Sequence, residues 1–138
     1  MIDFHFFPLA SYDDYCDFTF CRHGVVHLLW WNVTVRLETG EFQHLASLLE
    51  RGTSLTSSFP LGDGDFAVTL EEDRYRVRMG QVEFVLTADE YLAMTDTALE
   101  AARQLERVLA SDEWHDWEPE SDALGYMDQW QMSGFSLN

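Results

Sequence analysis

The amino-acid sequence predicts an α+β fold made of two tandem βββα units. The first indication is an internal duplication, because residues 25–45 align without a gap on residues 74–94 when the chain is shifted by 49 positions. The second is a short-range alternation of apolar and polar residues, which is typical of half-buried strands. The third is a helical spacing of apolar residues after each group of strands. We therefore expect antiparallel meander sheets covered by helices, followed by an acidic, aromatic C-terminal tail.

The two copies match in physical character rather than in identity. An acidic residue coincides near the start of each expected helix, Glu41 in the first copy and Glu90 in the second. The coinciding apolar pairs are Val33 and Val82, Val35 and Phe84, Leu37 and Leu86, Phe42 and Tyr91, and Leu45 and Met94. We interpret residues 1–138 as a single domain that contains a duplicated unit.

The first unit is expected over residues 18–51. Two-residue turns at His23-Gly24 and Trp31-Asn32 would separate three strands, at roughly 18–22, 25–30 and 33–37. A short helix follows, which would end at Gly52 and is marked by Phe42, Leu45, Leu48 and Leu49. Residues 52–64, a polar stretch with glycine and proline, would connect the two units.

The second unit is expected over residues 65–110, with turns at Glu72-Asp73 and Gly80-Gln81. This register sets Glu71 opposite Arg74 and Arg78 opposite Glu83, so that opposite charges face each other across strands. Thr87 and Glu90 have the spacing of a capping box. A helix is predicted from there to about residue 110, with apolar residues at helical spacing.

Negative charge is the most unusual feature of the composition. The chain has 25 acidic residues against 8 basic ones, a formal net charge of -17, and every basic residue is arginine. Such a surface repels phosphate, so direct nucleic-acid binding and docking on anionic membranes are not expected. The natural partner is a basic protein, attracted by long-range electrostatic steering. Solubility or adaptation to salt is the alternative explanation for the charge.

We predict a cytoplasmic location. The N-terminus has no basic segment and carries Asp3, unlike a signal peptide. The longest apolar run, near residues 25–31, is interrupted by His27 and is too short to cross a bilayer. Two cysteines, Cys16 and Cys21, are too few for a disulfide framework.

The predicted register makes the outer faces of the two sheets different. The outer face of the second sheet would be polar, whereas that of the first would be largely apolar and would present Phe18, Phe20, His27 and Leu29. An exposed apolar patch usually marks an interaction surface. The C-terminal tail, a second subunit of a homodimer or a separate partner could cover it.

The tail, residues 111–138, offers a second candidate surface. Aromatic residues alternate there with acidic ones, and no basic residue follows Arg107. Because tryptophan dominates binding hot spots, we predict that the tail holds the partner. The predicted contact residues are Trp114, Trp117, Glu118, Glu120, Asp122, Tyr126 and Trp130.

Metal binding and catalysis have weaker support in the sequence, and no cofactor is expected. The candidate zinc ligands Cys16, Cys21, His23 and His27 do not have a standard zinc-binding spacing. Asp13, Asp14 and Asp17, near His5, could form an acidic hydrolase cluster or bind a divalent cation, but a solvated loop is the simpler interpretation. His44 near Glu41 fits a surface pair. The chain lacks the common nucleophile, phosphate-loop and metalloprotease motifs.

The leading hypothesis is therefore a non-catalytic, acidic protein-binding module. It would hold a basic partner as an inhibitor, an immunity-type protein or a nucleic-acid mimic. A second hypothesis is a structural subunit that assembles through the apolar face of the first sheet. A third is a small metalloprotein or hydrolase.

Overall fold

The computed structural model describes residues 6–56 and 60–111 and shows two four-stranded antiparallel sheets, each followed by a helix. The first sheet has the order β1-β2-β3-β4 and the second β5-β6-β7-β8. The predicted α+β class with two tandem units is confirmed. The elements are β1 (Phe6–Tyr12), β2 (Cys16–Cys21), β3 (Val25–Trp30), β4 (Val33–Glu38), α1 (Thr39–Gly52), β5 (Leu61–Asp63), β6 (Phe66–Glu71), β7 (Arg74–Met79), β8 (Val82–Thr87) and α2 (Ala88–Ala110).

Each unit has one more strand than the sequence pattern indicated. β1 and β5 precede the three predicted strands and form one edge of their sheets. Pro8 lies in β1, where an edge strand tolerates the missing backbone donor. The register of β1 on β2 shifts between Pro8 and Ala10, which interrupts the alternation that would have marked this strand in the sequence.

The internal duplication is visible in the element boundaries. An offset of 49 positions separates β3 from β7, as from Val25 to Arg74. The same offset separates β4 from β8 and the first residue of α1 from that of α2. β2 and β6 are separated by 50 positions, from Cys16 to Phe66. The extra residue lies in the turn before β3, because Arg22, His23 and Gly24 occupy it whereas only Glu72 and Asp73 occupy the equivalent turn.

This three-residue turn corrects one sequence prediction. Gly24, with φ of 83°, donates its N–H to the carbonyl of Cys21 over 3.0 Å and closes the turn. Phe18 therefore pairs with Leu28, and Phe20 with Val26, instead of with Leu29 and His27. A one-residue change of register moves every side chain of a strand to the opposite face. Phe18 and Phe20 thus lie on the inner face of the first sheet, and their predicted outward placement is wrong.

The second sheet has the register expected from its two-residue turns. Glu71 pairs with Arg74, and Arg78 pairs with Glu83. The ion pairs on its outer face are nevertheless diagonal, because Arg76 binds both Glu71 at 2.7 Å and Glu83 at 2.9 Å. These side chains are about half exposed, so the ion pairs add little stability. They keep this face polar, as expected.

The two helices start in the same way. The N–H of Glu38 donates to the Glu41 carboxylate at the start of α1, over 2.9 Å. At the start of α2 the N–H of Thr87 donates to Glu90 over 2.9 Å, and the N–H of Glu90 donates to the Thr87 hydroxyl over 3.2 Å. The predicted capping box of α2 is therefore present.

Each helix packs against both sheets. α2 lies across β1 and β2 of the first sheet and also contacts β7 and β8 of its own unit. α1 contacts β3 and β4 as well as β5 and β6, and the two helices pack on each other. The buried side chains of both units consequently form one hydrophobic cluster. Within the described ranges, no helix has both the length and the apolar character needed to cross a membrane.

Candidate partner-binding site

The residues predicted to bind a partner through the tail lie outside the described residues. These are Trp114, Trp117, Glu118, Glu120, Asp122, Tyr126 and Trp130. Their role stays a prediction.

The predicted apolar face of the first sheet is not an exposed patch. Phe18 and Phe20 are 0% and 1% exposed on the inner face, where they cannot reach a partner. His27 lies on the outer face as expected but is buried, and its ring packs edge-on against Phe6 with centroids 5.3 Å apart. Leu29, also on the outer face, is half-buried. In the part of the chain that the structure describes, these four residues therefore do not form the exposed apolar patch that the assembly hypothesis needs.

His27 has an unusual electrostatic environment. Burial, followed by the positive charge of Arg36 and by His23, lowers the pKa of His27 to about 4. The imidazole is therefore neutral near pH 7, as a buried histidine must be unless a partner compensates its charge.

The four candidate zinc ligands do not converge. Cys16 lies on the inner face of β2, whereas Cys21 and His27 lie on the outer face. Both cysteines are buried free thiols. Burial raises the pKa of Cys16 to about 12, which keeps its thiol neutral. Residues 6–56 and 60–111 contain no group of three or more potential ligands that could hold a metal ion.

The candidate acidic cluster is spread over two surfaces. Asp13 and Asp14 are exposed in the β1–β2 turn, while Asp17 lies half-buried on β2, where burial raises the pKa of its carboxyl group. His5 is outside the described residues. Glu41 is engaged in capping α1, and the ring of His44 packs edge-on against Phe66 with centroids 6.0 Å apart.

A different group of side chains forms the candidate site. Tyr12, Tyr15 and Trp31 make a continuous aromatic surface, which we call the aromatic ledge. Tyr15 stacks on Trp31 with centroids 4.4 Å apart and ring planes 10° apart, and it meets Tyr12 edge-on at 5.7 Å. Trp31 is 58% exposed and Tyr12 is 47% exposed. Large aromatic side chains exposed together on one surface are typical of binding sites.

The meander topology brings the ledge together. The β1–β2 turn and the β3–β4 turn lie at the same end of the first sheet, because Tyr12 pairs with Cys16 and Cys16 with Trp30. The N–H of Trp31 donates to the carbonyl of Tyr15 over 2.6 Å and ties the two turns together. Trp30 supports Tyr15 from the inner side, with centroids 5.1 Å apart, and itself contacts Phe84 of the second sheet.

Trp31 has a backbone conformation that is unusual for its type. Its φ is 58°, in the left-handed region that bulky residues rarely occupy. The equivalent position 49 residues later is Gly80, whose φ is 65°. The same turn is thus made with glycine in the second unit and with tryptophan in the first, at a cost of about 1–2 kcal/mol. Residues held in such conformations are concentrated at functional sites.

The ledge is acidic. Asp13 and Asp14 lie between Tyr12 and Tyr15 in the chain, and both are exposed. The pKa of Tyr15 is raised by burial first, and then by Tyr12 and by the negative charges of Asp13 and Glu90. Of these causes, the negative charges of Asp13 and Glu90 also favour a cation at the ledge.

Sequence reasoning missed this site although one signal was available. Trp31-Asn32 was correctly predicted as a two-residue turn, and such turns require positive φ. A tryptophan at the first position, where the repeat has Gly80, is the anomaly that could have identified Trp31.

Comparison of the chain with protein-family models, with curated proteins and with solved structures finds no match.

Proposed function

We propose that this protein is a non-catalytic binding module that holds a basic protein partner on an acidic, aromatic-bearing surface. The observation that carries the proposal is the aromatic ledge, in which the exposed rings of Tyr12 and Trp31 lie beside the exposed Asp13 and Asp14. An inhibitor, an immunity-type protein or a nucleic-acid mimic would act in this way.

Two physical effects support the proposal. A net charge of -17 attracts a basic protein over distances of about a Debye length and raises its association rate. Once the partner has arrived, aromatic rings at the contact supply most of the binding energy because they bury a large area at a small cost in side-chain entropy. The free thiols of Cys16 and Cys21 support a reducing compartment, and we propose the cytoplasm.

Affinity capture from a lysate of the source cells at low and high salt tests this function. The matched variant is Asp13→Asn with Asp14→Asn, which removes two exposed charges and preserves side-chain size. We expect the wild type to retain proteins with a clear excess of Arg and Lys at low salt and to release them at high salt. The variant should retain less of the same proteins. Retention of neutral or acidic proteins, or retention that salt does not change, would refute the proposal.

A further inference from the structure

The ledge has a shape that suits one kind of ligand group. Tyr15 covers one face of the Trp31 indole by parallel stacking, yet Trp31 remains 58% exposed. The opposite face of the indole is therefore open to solvent. Tyr12 meets Tyr15 edge-on and is 47% exposed, so it adds to the exposed aromatic surface of the ledge.

Two exposed carboxylates, those of Asp13 and Asp14, lie in the turn that adjoins the ledge. The β1–β2 turn holds Asp13 at φ of 55°, and the N–H of Asp14 donates to the Asp13 carboxylate over 3.1 Å, which fixes the orientation of that group. The turn is tied to the indole by the backbone hydrogen bond from Trp31 to Tyr15. The acidic turn therefore adds negative charge at the same end of the sheet as the indole.

Arginine satisfies both requirements better than other side chains. Its guanidinium is planar, is only weakly hydrated and stacks on aromatic faces, while its N–H groups bind carboxylates in pairs. The ammonium group of lysine is compact and strongly hydrated, and it lacks the planar surface that stacking requires. An uncharged apolar side chain would gain nothing from Asp13 and Asp14.

We propose that the aromatic ledge is an arginine-binding site, in which a guanidinium from the partner stacks on Trp31 and binds the carboxylates of Asp13 and Asp14. This inference rests on the proposed function, since it names the side chain by which the basic partner is held. It also accounts for the presence of tryptophan, at φ of 58°, in a turn position where the second unit has Gly80.

The probes are three synthetic peptides of the same length, in which glycine and serine separate arginine, lysine or citrulline residues. Citrulline preserves the planar shape of arginine and removes its charge. Binding to the full chain is measured by calorimetry at low salt. The wild type should bind the arginine peptide about tenfold tighter than the lysine peptide and should bind the citrulline peptide weakest.

Two variants remove the indole without disturbing the turn. Trp31→Gly installs the residue of the second unit, and Trp31→Asn installs another residue that tolerates positive φ. Both should fold, as circular dichroism can verify, and both should lose about tenfold in affinity for the arginine peptide. Val85→Ala, which trims an apolar residue that is 50% exposed on the outer face of the second sheet, is the control and should bind as the wild type does.

The outcomes separate the two proposals. If the Trp31 variants bind the arginine peptide as tightly as the wild type, or if lysine and arginine peptides bind equally, the arginine site is refuted while salt-dependent capture of basic proteins can still support the general function. If the wild type binds none of the peptides and lysate capture is also insensitive to salt, both proposals fail.

Discussion

The absence of a side chain at Gly52 lets the two helices meet. Gly52 is the last residue of α1, and a Cβ atom there would collide with the hydroxyl of Tyr91 and lie 3.1 Å from Val68 Cγ1. The Tyr91 hydroxyl donates to the carbonyl of Leu49 over 2.5 Å. Burial raises the pKa of Tyr91 well above its usual value, so the group stays a donor at neutral pH.

The first prediction concerns this contact. Gly52→Ala should destabilise the protein by about 1–3 kcal/mol, despite the better helix propensity of alanine, because the methyl group overpacks the junction. Tyr91→Phe should cost about 1–2 kcal/mol, because the buried carbonyl of Leu49 loses its donor there. Chemical denaturation measures both values.

The double variant provides the control for that prediction. Phenylalanine removes the oxygen atom with which the new methyl group collides, so Gly52→Ala should be less harmful in the Tyr91→Phe background than in the wild type. Strict additivity of the two costs would show that the hydroxyl does not limit the approach of the helices.

His27 makes stability depend on pH. In the folded protein its pKa is about 4, below the ordinary value of 6.5, so between these values the unfolded chain binds more protons than the folded chain. Acidification therefore favours unfolding through this interval. From about pH 7 to about pH 5, the free energy of unfolding should fall by about 2 kcal/mol on account of His27.

His27→Gln is the matched variant for this pH dependence. The carboxylates contribute equally to both proteins, so the difference between their stability-versus-pH curves isolates the histidine. The wild type should lose stability more steeply than the variant on acidification, as measured by urea denaturation across the interval. Parallel curves would show that His27 titrates alike in the folded and unfolded states.

Of the two helices, α2 has the more completely capped N-terminus. The Thr87 hydroxyl accepts the N–H of Glu90, which would otherwise have no helical acceptor. Thr87→Ala should lower the free energy of unfolding by about 1 kcal/mol. Thr87→Ser keeps the hydroxyl and should restore most of that loss. Equal stability of the alanine and serine variants in thermal denaturation would show that the capping bond contributes nothing.

The elements also show what the sequence could and could not predict. Alternation and helical spacing identified six strands and both helices, since a half-buried strand and an amphipathic helix leave periodic patterns. β1 and β5 were not predicted. β1 contains a register shift, and β5, Leu61–Asp63, is too short to show an alternating pattern. The predicted turn before β3 is one residue too short, and this error placed the side chains of Phe18 and Phe20 on the wrong face of the sheet. Turn length determines register, and Gly24 alone does not distinguish a two-residue from a three-residue turn.

The candidate site was harder to predict than the fold. Tyr12 and Tyr15 flank the β1–β2 turn, and β1 was not foreseen, so nothing in the sequence placed them beside Trp31. The register of two hairpins in one sheet is required to bring these residues together.

At the scale of the whole molecule, charge repulsion opposes folding. A formal net charge of -17 on 138 residues repels itself, and added salt screens that repulsion. The melting temperature should therefore rise when sodium chloride is added. If screening lowers the repulsion in the folded state by about 1 kcal/mol, the rise should be about 4 °C. Salt also weakens the exposed ion pairs of Arg76, but these pairs contribute less free energy to folding than the screened repulsion does. A melting temperature that falls on addition of salt would contradict this account.

The packing of each helix on both sheets has a consequence for the independence of the two units. A single unit released from its tandem copy would leave the apolar side of its sheet partly uncovered, and a second copy of the same unit would supply the missing helix. Each unit therefore depends on its tandem copy for part of the cover over its apolar side, and neither is complete alone.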